Sequence, residues 1–222
     1  MKKIAIFDFD GTLANTRPVI LCSFHETFDA LHLPQSSDEE ISATIGFPLI
    51  EAFPILCPMS EEKVQKCADT YREIFEKVKK DLKVQLFPHV ADTLKQLHSQ
   101  GVICTIATSR GHESASQFIQ SFGLDGIITY IIAAENVQHA KPNPEPVNLT
   151  LSHFGINPED AVVIGDTHFD ILMGNNASCM SIGVNYGYGS RESLEKAGAD
   201  VIIDDFAELP IYILNKSTHM PI

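Results

Sequence analysis

An apolar run, Ile4 to Phe7, ends abruptly in two aspartates one residue apart and then Gly and Thr, in the stretch KKIAIFDFDGTL from Lys2 to Leu13. Such a run reads as a buried strand that delivers two carboxylates to one place at its C-terminal end. Successive strand residues point to opposite faces, so Asp8 and Asp10 share a side while the chain stays extended. Two carboxylates this close repel unless one is protonated or a cation sits between them. Gly11 lets the backbone depart sharply and leaves room for a ligand. Asp-Gly is also a strong hairpin signal, but a hairpin needs a second alternating strand directly after Thr12. Instead Thr16-Arg17-Pro18 introduces Val19, Ile20, Phe24, Phe28 and Leu31 at helical spacing behind a Thr cap. The stretch therefore reads as strand, loop and helix, with two acids at the turn.

From Asn15 to about Leu82 the pattern is helical throughout. A second helix starts at the capping box Ser37-Asp38-Glu39-Glu40 and stops at Gly46, a third short one holds Pro48 to Leu56, and a fourth runs from Ser60 through Tyr71, Phe75 and Val78. That is too long a connection for a simple crossover, and it reads as an inserted helical lid. Beyond Leu86-Phe87-Pro88 strands and helices alternate. Val102–Ala107, Tyr130–Ala133, Ala161–Gly165, Met180–Val184 and Val201–Ile203 are the strands. The helices between them include His112–Phe122 and Glu145–Phe154. Alternation of this kind implies a parallel sheet covered on both faces, with ligands at the C-terminal strand ends.

Chemistry-bearing residues fall at those ends. Thr108-Ser109-Arg110 follows the second core strand, Lys141 lies in a loop, and Gly165-Asp166-Thr167-His168-Phe169-Asp170 follows a later strand. Each has a plainer reading. Thr108 could cap the helix from His112, Lys141 could be a solvated lysine, and Asp166 with Asp170 could complement a helix dipole. Tyr186-Gly187-Tyr188-Gly189 suggests a phosphate loop but reads better as a turn after a strand.

Taken together, Asp8-x-Asp10-Gly-Thr-Leu, Thr108, Lys141 and Asp166…Asp170 resemble, in order and over nearly the whole chain, the motif set of the haloacid dehalogenase-like hydrolase superfamily. The resemblance implies an α/β, Rossmann-like parallel-sheet core (residues 1–14 and 83–222) with a small inserted α-helical cap (residues 15–82). It implies a phosphatase that hydrolyses a small-metabolite phosphate monoester. Asp8 would be the nucleophile, forming an aspartyl phosphate, and Asp10 the acid and base. Thr108 and the Ser109 amide would bind phosphate oxygens, and Lys141 would neutralise charge. Mg²⁺ would sit on Asp8, the Asp10 backbone carbonyl and Asp166, with Asp170 orienting Lys141 or a metal-bound water. Thr16, Arg17, Phe47 and Arg110 are candidate substrate contacts. The presence of Asp10 separates the chain from dehalogenase and phosphonate-cleaving relatives. The segment Ile45–Leu49 lacks the basic residue usual in sugar-phosphate mutases. The cap's position resembles that of phosphoglycolate phosphatase-like members. A phosphomutase of the beta-phosphoglucomutase type or a pyrophosphatase is the alternative, and a non-catalytic binding module a distant one.

The 222 residues, 44% of them hydrophobic, suit one core domain plus a modest insertion. A net charge of −13, from 29 acidic and 16 basic residues, argues against nucleic acid or anionic membrane as partner. The densest basic group, Lys77, Lys79, Lys80 and Lys83, reads as the solvated side of a helix end. Five cysteines without metal spacing read as free thiols, Cys104 and Cys179 inside strands. The N-terminal apolar run is too short for a signal peptide and no stretch is long enough to span a membrane. Asn176-Ala177-Ser178 and Asn215-Lys216-Ser217 then read as chance glycosylation matches, and the expectation is a cytoplasmic monomer or weak homodimer.

Overall fold

The computed structural model describes residues 1–215; Lys216 and Ser217 of the second glycosylation match lie outside them. The order of elements is β1 (Ile4–Phe7), β2 (Ala14–Asn15), α1 (Arg17–Ala30), α2 (Asp38–Ala43), α3 (Leu49–Leu56), α4 (Glu61–Asp81) and β3 (Gln85–Leu86). It continues with α5 (Val90–Ser99), β4 (Ile103–Ala107), α6 (His112–Ser121), β5 (Ile128–Ile132), α7 (Glu145–Phe154), β6 (Ala161–Gly165) and α8 (His168–Asn176). The chain closes through β7 (Met180–Val184), α9 (Arg191–Lys196), β8 (Val201–Ile203) and α10 (Leu209–Ile213).

Six strands form one parallel sheet in the order β5-β4-β1-β6-β7-β8. The chain moves outward from β1 in one direction through β4 and β5, and in the other through β6, β7 and β8. The reversal beside β1 opens a crevice at the C-terminal strand ends, where α/β sheets bind ligands. Strand β1 is buried on both faces, which explains its unbroken apolar sequence. Ile4 and Ile6 pack with Val147 and Leu151 of α7 and Met173 of α8. Ala5 and Phe7 face the other way, toward Leu94 and Leu97 of α5 and Phe206.

Helices α1 to α4, the segment expected as the cap, pack on one another. Phe24, Phe53 and Tyr71 centre its interior, with ring centroids 5.0 Å apart for Phe24–Phe53 and 4.8 Å for Phe24–Tyr71. The Ser37–Glu40 capping box is present at the start of α2. Three details differ from the sequence reading. Asn15 is not helical; with Ala14 it pairs antiparallel with Gln85 and Leu86, a two-residue ribbon at the root of the cap. Two paired residues are too few to show a strand period. Thr16 occupies the N-cap position of α1, but its hydroxyl donates to Asp10 rather than capping the helix. Cys179 lies one residue before β7, buried like Cys104, and all five cysteines are free. Of the lysine cluster, Lys77, Lys80 and Lys83 are exposed, whereas Lys79 bonds Glu76 and Gln117 and lies over the Phe118 ring. Among the described residues no helix is long and apolar enough to cross a membrane.

Candidate active site

Every core residue singled out by the sequence arrives at the same crevice. Asp8 leaves the end of β1 and is 8% exposed. Lys141 comes from the loop after β5, and its Nζ donates to Asp8 Oδ1 and to Asp170 Oδ1, both at 2.6 Å. Burial opposes a charged ammonium, yet Asp170 and Asp8 overrule it and hold the Lys141 pKa above its ordinary value. The solvated reading of Lys141 is thereby excluded, since its side chain is 5% exposed.

Asp166 follows β6 directly and is fully buried. Its Oδ1 accepts from the Thr12 hydroxyl at 2.9 Å and its Oδ2 from the Tyr188 backbone N–H at 2.7 Å. Desolvation, with Asp170 adding repulsion, pushes the Asp166 carboxyl up to about 7. Desolvation likewise raises Asp8 well above the ordinary carboxylate range, although Lys141 opposes the shift. Asp170 serves both readings of the sequence at once. Its Oδ2 accepts from the Thr167 amide and hydroxyl at the start of α8, while its Oδ1 holds Lys141.

Oxygens of Asp8, Asp166 and Asp170 lie within 4.8 Å of one another. One lysine does not balance three buried carboxylates, and hard oxygen donors suit a small divalent cation. The residues present thus fit a metal such as Mg²⁺. The Asp10 carboxylate does not join this cluster. Past Asp8 the chain turns at Gly11, whose φ is +86°, and Asp10 faces Arg110 instead. Arg110 donates through Nε to Asp10 Oδ2 at 3.1 Å and through its terminal nitrogen to Oδ1. The backbone carbonyl, the atom of Asp10 that the resemblance offers to a metal, is a separate group from this pair.

The remaining candidates divide. The Thr108 hydroxyl accepts from the Arg110 amide at 3.1 Å and does not cap α6, whose N-cap is Gly111. The Ser109 hydroxyl donates to the Gly46 carbonyl of the cap at 2.6 Å, and Phe47 meets Phe169 edge-to-face at 4.6 Å. The cap loop is therefore seated on the core. Thr108, Ser109, Gly46 and Phe47 border a cavity of about 790 Å³. Thr16 and Arg110 are both turned to Asp10. Arg17 is exposed and contributes only a backbone amide, which donates to the Tyr188 hydroxyl at 2.8 Å.

Sequence reasoning passed over Tyr188. Its hydroxyl also accepts from the Thr16 amide at 2.8 Å, so one side chain closes the start of α1 while its own amide holds Asp166. The flanking glycines are what permit this approach: a Cβ at Gly187 would lie 2.2 Å from Asp166 Cβ, and one at Gly189 2.1 Å from the Asp166 carbonyl oxygen. The doubled Gly-x-Gly spacing was the available signal. The turn reading is correct as far as it goes, but the turn wraps a buried carboxylate.

The sequence profile of the haloacid dehalogenase-like hydrolases matches residues 5–184, which spans Asp8, Asp10, Thr108, Lys141, Asp166 and Asp170 but stops short of the Tyr186–Gly189 turn. The chain belongs to that family. It is 35% identical over 205 residues to "Pyrophosphatase PpaX" of Bacillus pumilus, covering 92% of this chain and 93% of the relative. It is 34% identical over 212 residues to "Probable phosphatase IndB" of Dickeya dadantii, covering 94% and 92%. Among solved structures it resembles a "predicted phosphatase" from Clostridium acetobutylicum, with a TM-score of 0.86 at 26% identity over 96% of this chain and 99% of that one. As a haloacid dehalogenase-like hydrolase it is an enzyme, and the α/β architecture with its six-stranded sheet is that of its structural relatives.

Proposed function

We propose that the chain is a Mg²⁺-dependent phosphatase that hydrolyses a small-metabolite phosphate monoester through an aspartyl phosphate on Asp8. The observation that carries this reading is the Asp8–Lys141–Asp170 chain, with both contacts at 2.6 Å, lining a cavity of about 790 Å³. Lys141 occupies one Asp8 oxygen, which leaves the other free to attack phosphorus. As that bond forms, the bond from phosphorus to the leaving oxygen breaks. Asp10 gives the leaving oxygen a proton, then takes one from the water that attacks the aspartyl phosphate. Asp8 and protonated Asp10 are both restored.

Lys141, the Thr108 hydroxyl and the Ser109 amide would receive the transferring phosphate oxygens. Asp8, the Asp10 carbonyl and Asp166 would hold Mg²⁺, with Asp170 close enough to join them. When bound, Mg²⁺ supplies positive charge that screens the nucleophile from the phosphate and draws charge from the transferring group. The domain boundary follows the ribbon: residues 15–82 act as a lid that excludes water when seated.

The test is phosphate release from a panel of small phosphate esters, inorganic pyrophosphate included because of the relatives named for it. Each is run with Mg²⁺ and with chelator, beside Asp8→Asn. The reading requires turnover that the chelator and the substitution both remove. Phosphate retained on the enzyme until a bisphosphate activator is added would instead reveal a mutase.

A further inference from the structure

The charges that face the cavity bear on which leaving group it accepts. Its lysines and arginines are Lys141, Arg110 and Arg72. Each already has a carboxylate. Lys141 holds Asp8 and Asp170, Arg110 holds Asp10, and Arg72 donates to Asp69 at 2.6 Å. Arg110 is also the least able to move. Its guanidinium lies 4.7 Å from the Phe75 ring centroid, 5.2 Å from Phe118 and 5.7 Å from Phe9, and its other terminal nitrogen donates to Ser114 at 3.0 Å. An arginine caged by aromatic faces and bound bidentately is poorly placed to swing toward a ligand.

Carboxylates line the same cavity without a cationic side chain as partner. Glu51, Glu113 and Glu135 border the cavity and form no ion pair among the described residues, although Glu135 accepts from the His112 amide at 2.8 Å. The cap contributes Phe47, Leu49 and Ile50, which directly precede Glu51, to the same lining. A volume of about 790 Å³ is far more than a phosphate needs, and it lies in the roughly 300–1,000 Å³ range of pockets that take ring-bearing ligands.

We propose that the site selects phosphate monoesters whose leaving group is uncharged and carries an aryl, sugar or nucleoside ring. It discriminates against leaving groups with a second negative charge, such as pyrophosphate and 2-phosphoglycolate. The inference rests on the phosphatase reading. A second anion would find no unpaired cation and would face unneutralised glutamates, and such like-charge juxtaposition rejects a ligand without affecting a neutral one. If it recruited Arg110, it would remove the partner of Asp10. A neutral ring can lie against the apolar cap residues without drawing Arg110 or Lys141 away.

The experiment compares kcat/KM, with Mg²⁺, for phenyl phosphate and adenosine 5′-monophosphate against 2-phosphoglycolate and pyrophosphate. The neutral leaving groups are expected to be favoured by at least about tenfold, a difference of ~1.4 kcal/mol. In Glu51→Lys, folded by circular dichroism, the ratio of 2-phosphoglycolate to phenyl phosphate turnover is expected to rise about threefold or more. Equal or faster turnover of either doubly anionic substrate, or a ratio that Glu51→Lys does not move, overturns the selectivity inference and leaves the phosphatase reading standing. No Asp8-dependent release from any of the four overturns both.

Discussion

The floor and the roof of the cavity are built in opposite ways. The floor is a set of buried charges, Asp8, Lys141 and Asp170, with the fully buried Asp166 beside them, each fixed by the end of a strand or by the loop or helix that follows it. Three carboxylates share one lysine there, an arrangement that costs stability and serves chemistry. The cap has an aromatic interior in which Phe24, Phe28, Phe53 and Tyr71 meet face and edge. That interior contributes stability and has no group able to react with a phosphate. Reactivity and fold energy are therefore separable, and substitutions on the two sides should fail in different ways.

The sharpest contrast is Asp8→Asn. It keeps an oxygen to accept from Lys141 and removes one of three mutually repelling charges. Steady-state turnover is expected to fall by roughly 10⁴-fold or more, with a melting temperature equal to or above that of the parent. The opposite case is Phe53→Ala in the cap, where the ring is fully buried. Cavity formation costs about 3–5 kcal/mol, which for a chain of this size lowers the melting temperature by roughly 10 °C. Thermal melts and kinetics on both variants would break the comparison if either loss appeared on the wrong side.

Gly189→Ala lies between these cases. Its Cβ would meet the Asp166 carbonyl oxygen at 2.1 Å, so the backbone must move. A loss of about 1–3 kcal/mol is expected, together with a smaller rise in melting temperature on adding Mg²⁺ than the parent shows. A full Mg²⁺ response in this variant would separate the Tyr186–Gly189 turn from the carboxylate cluster.

The smallest effect belongs to the cap surface. His25 Nε2 faces Asp38 Oδ1 and Nδ1 faces Gln35 Oε1, both at 2.7 Å. The Gln35 amide is oriented by its own bond to Asp29, so both ring nitrogens meet acceptors and the imidazolium is favoured. The bond to Asp38, then that to Gln35, raises the His25 pKa above its ordinary 6.5. The stabilisation is accordingly complete below that value and lost as pH rises through the raised one. For this half-exposed pair it amounts to no more than about 0.5 kcal/mol. Denaturant midpoints of the parent and His25→Gln should differ at pH 6 and converge by about pH 8; a gap that widens with pH contradicts the assignment.

The sheet was legible because its strands are buried on both faces, which leaves unbroken apolar runs such as Ile4–Phe7 and Ala161–Gly165. The acids were legible because they interrupt those runs. Lys141 was legible only as one of a series, since its partner Asp8 lies 133 residues away and nothing adjacent marks it as buried. Tyr188 was not legible. Its value comes from approach to Thr16, 172 residues distant, and a tyrosine between two glycines carries the same local signal as any turn. Arg110 is a candidate substrate contact in the sequence, but its guanidinium is bound to Asp10. Its ion pair with Asp10 joins residues 100 apart, and nothing local to either marks the other as its partner. The ribbon at Asn15 failed for a simpler reason, being shorter than any period.

The most direct test of the account is acid-quench trapping during turnover of a phosphate ester labelled in its phosphoryl group. With Mg²⁺ the account predicts transient label on the protein, located at Asp8 by peptide mapping, released by hydroxylamine and absent in Asp8→Asn. Steady turnover without label on Asp8, or turnover that survives Asp8→Asn, would contradict it.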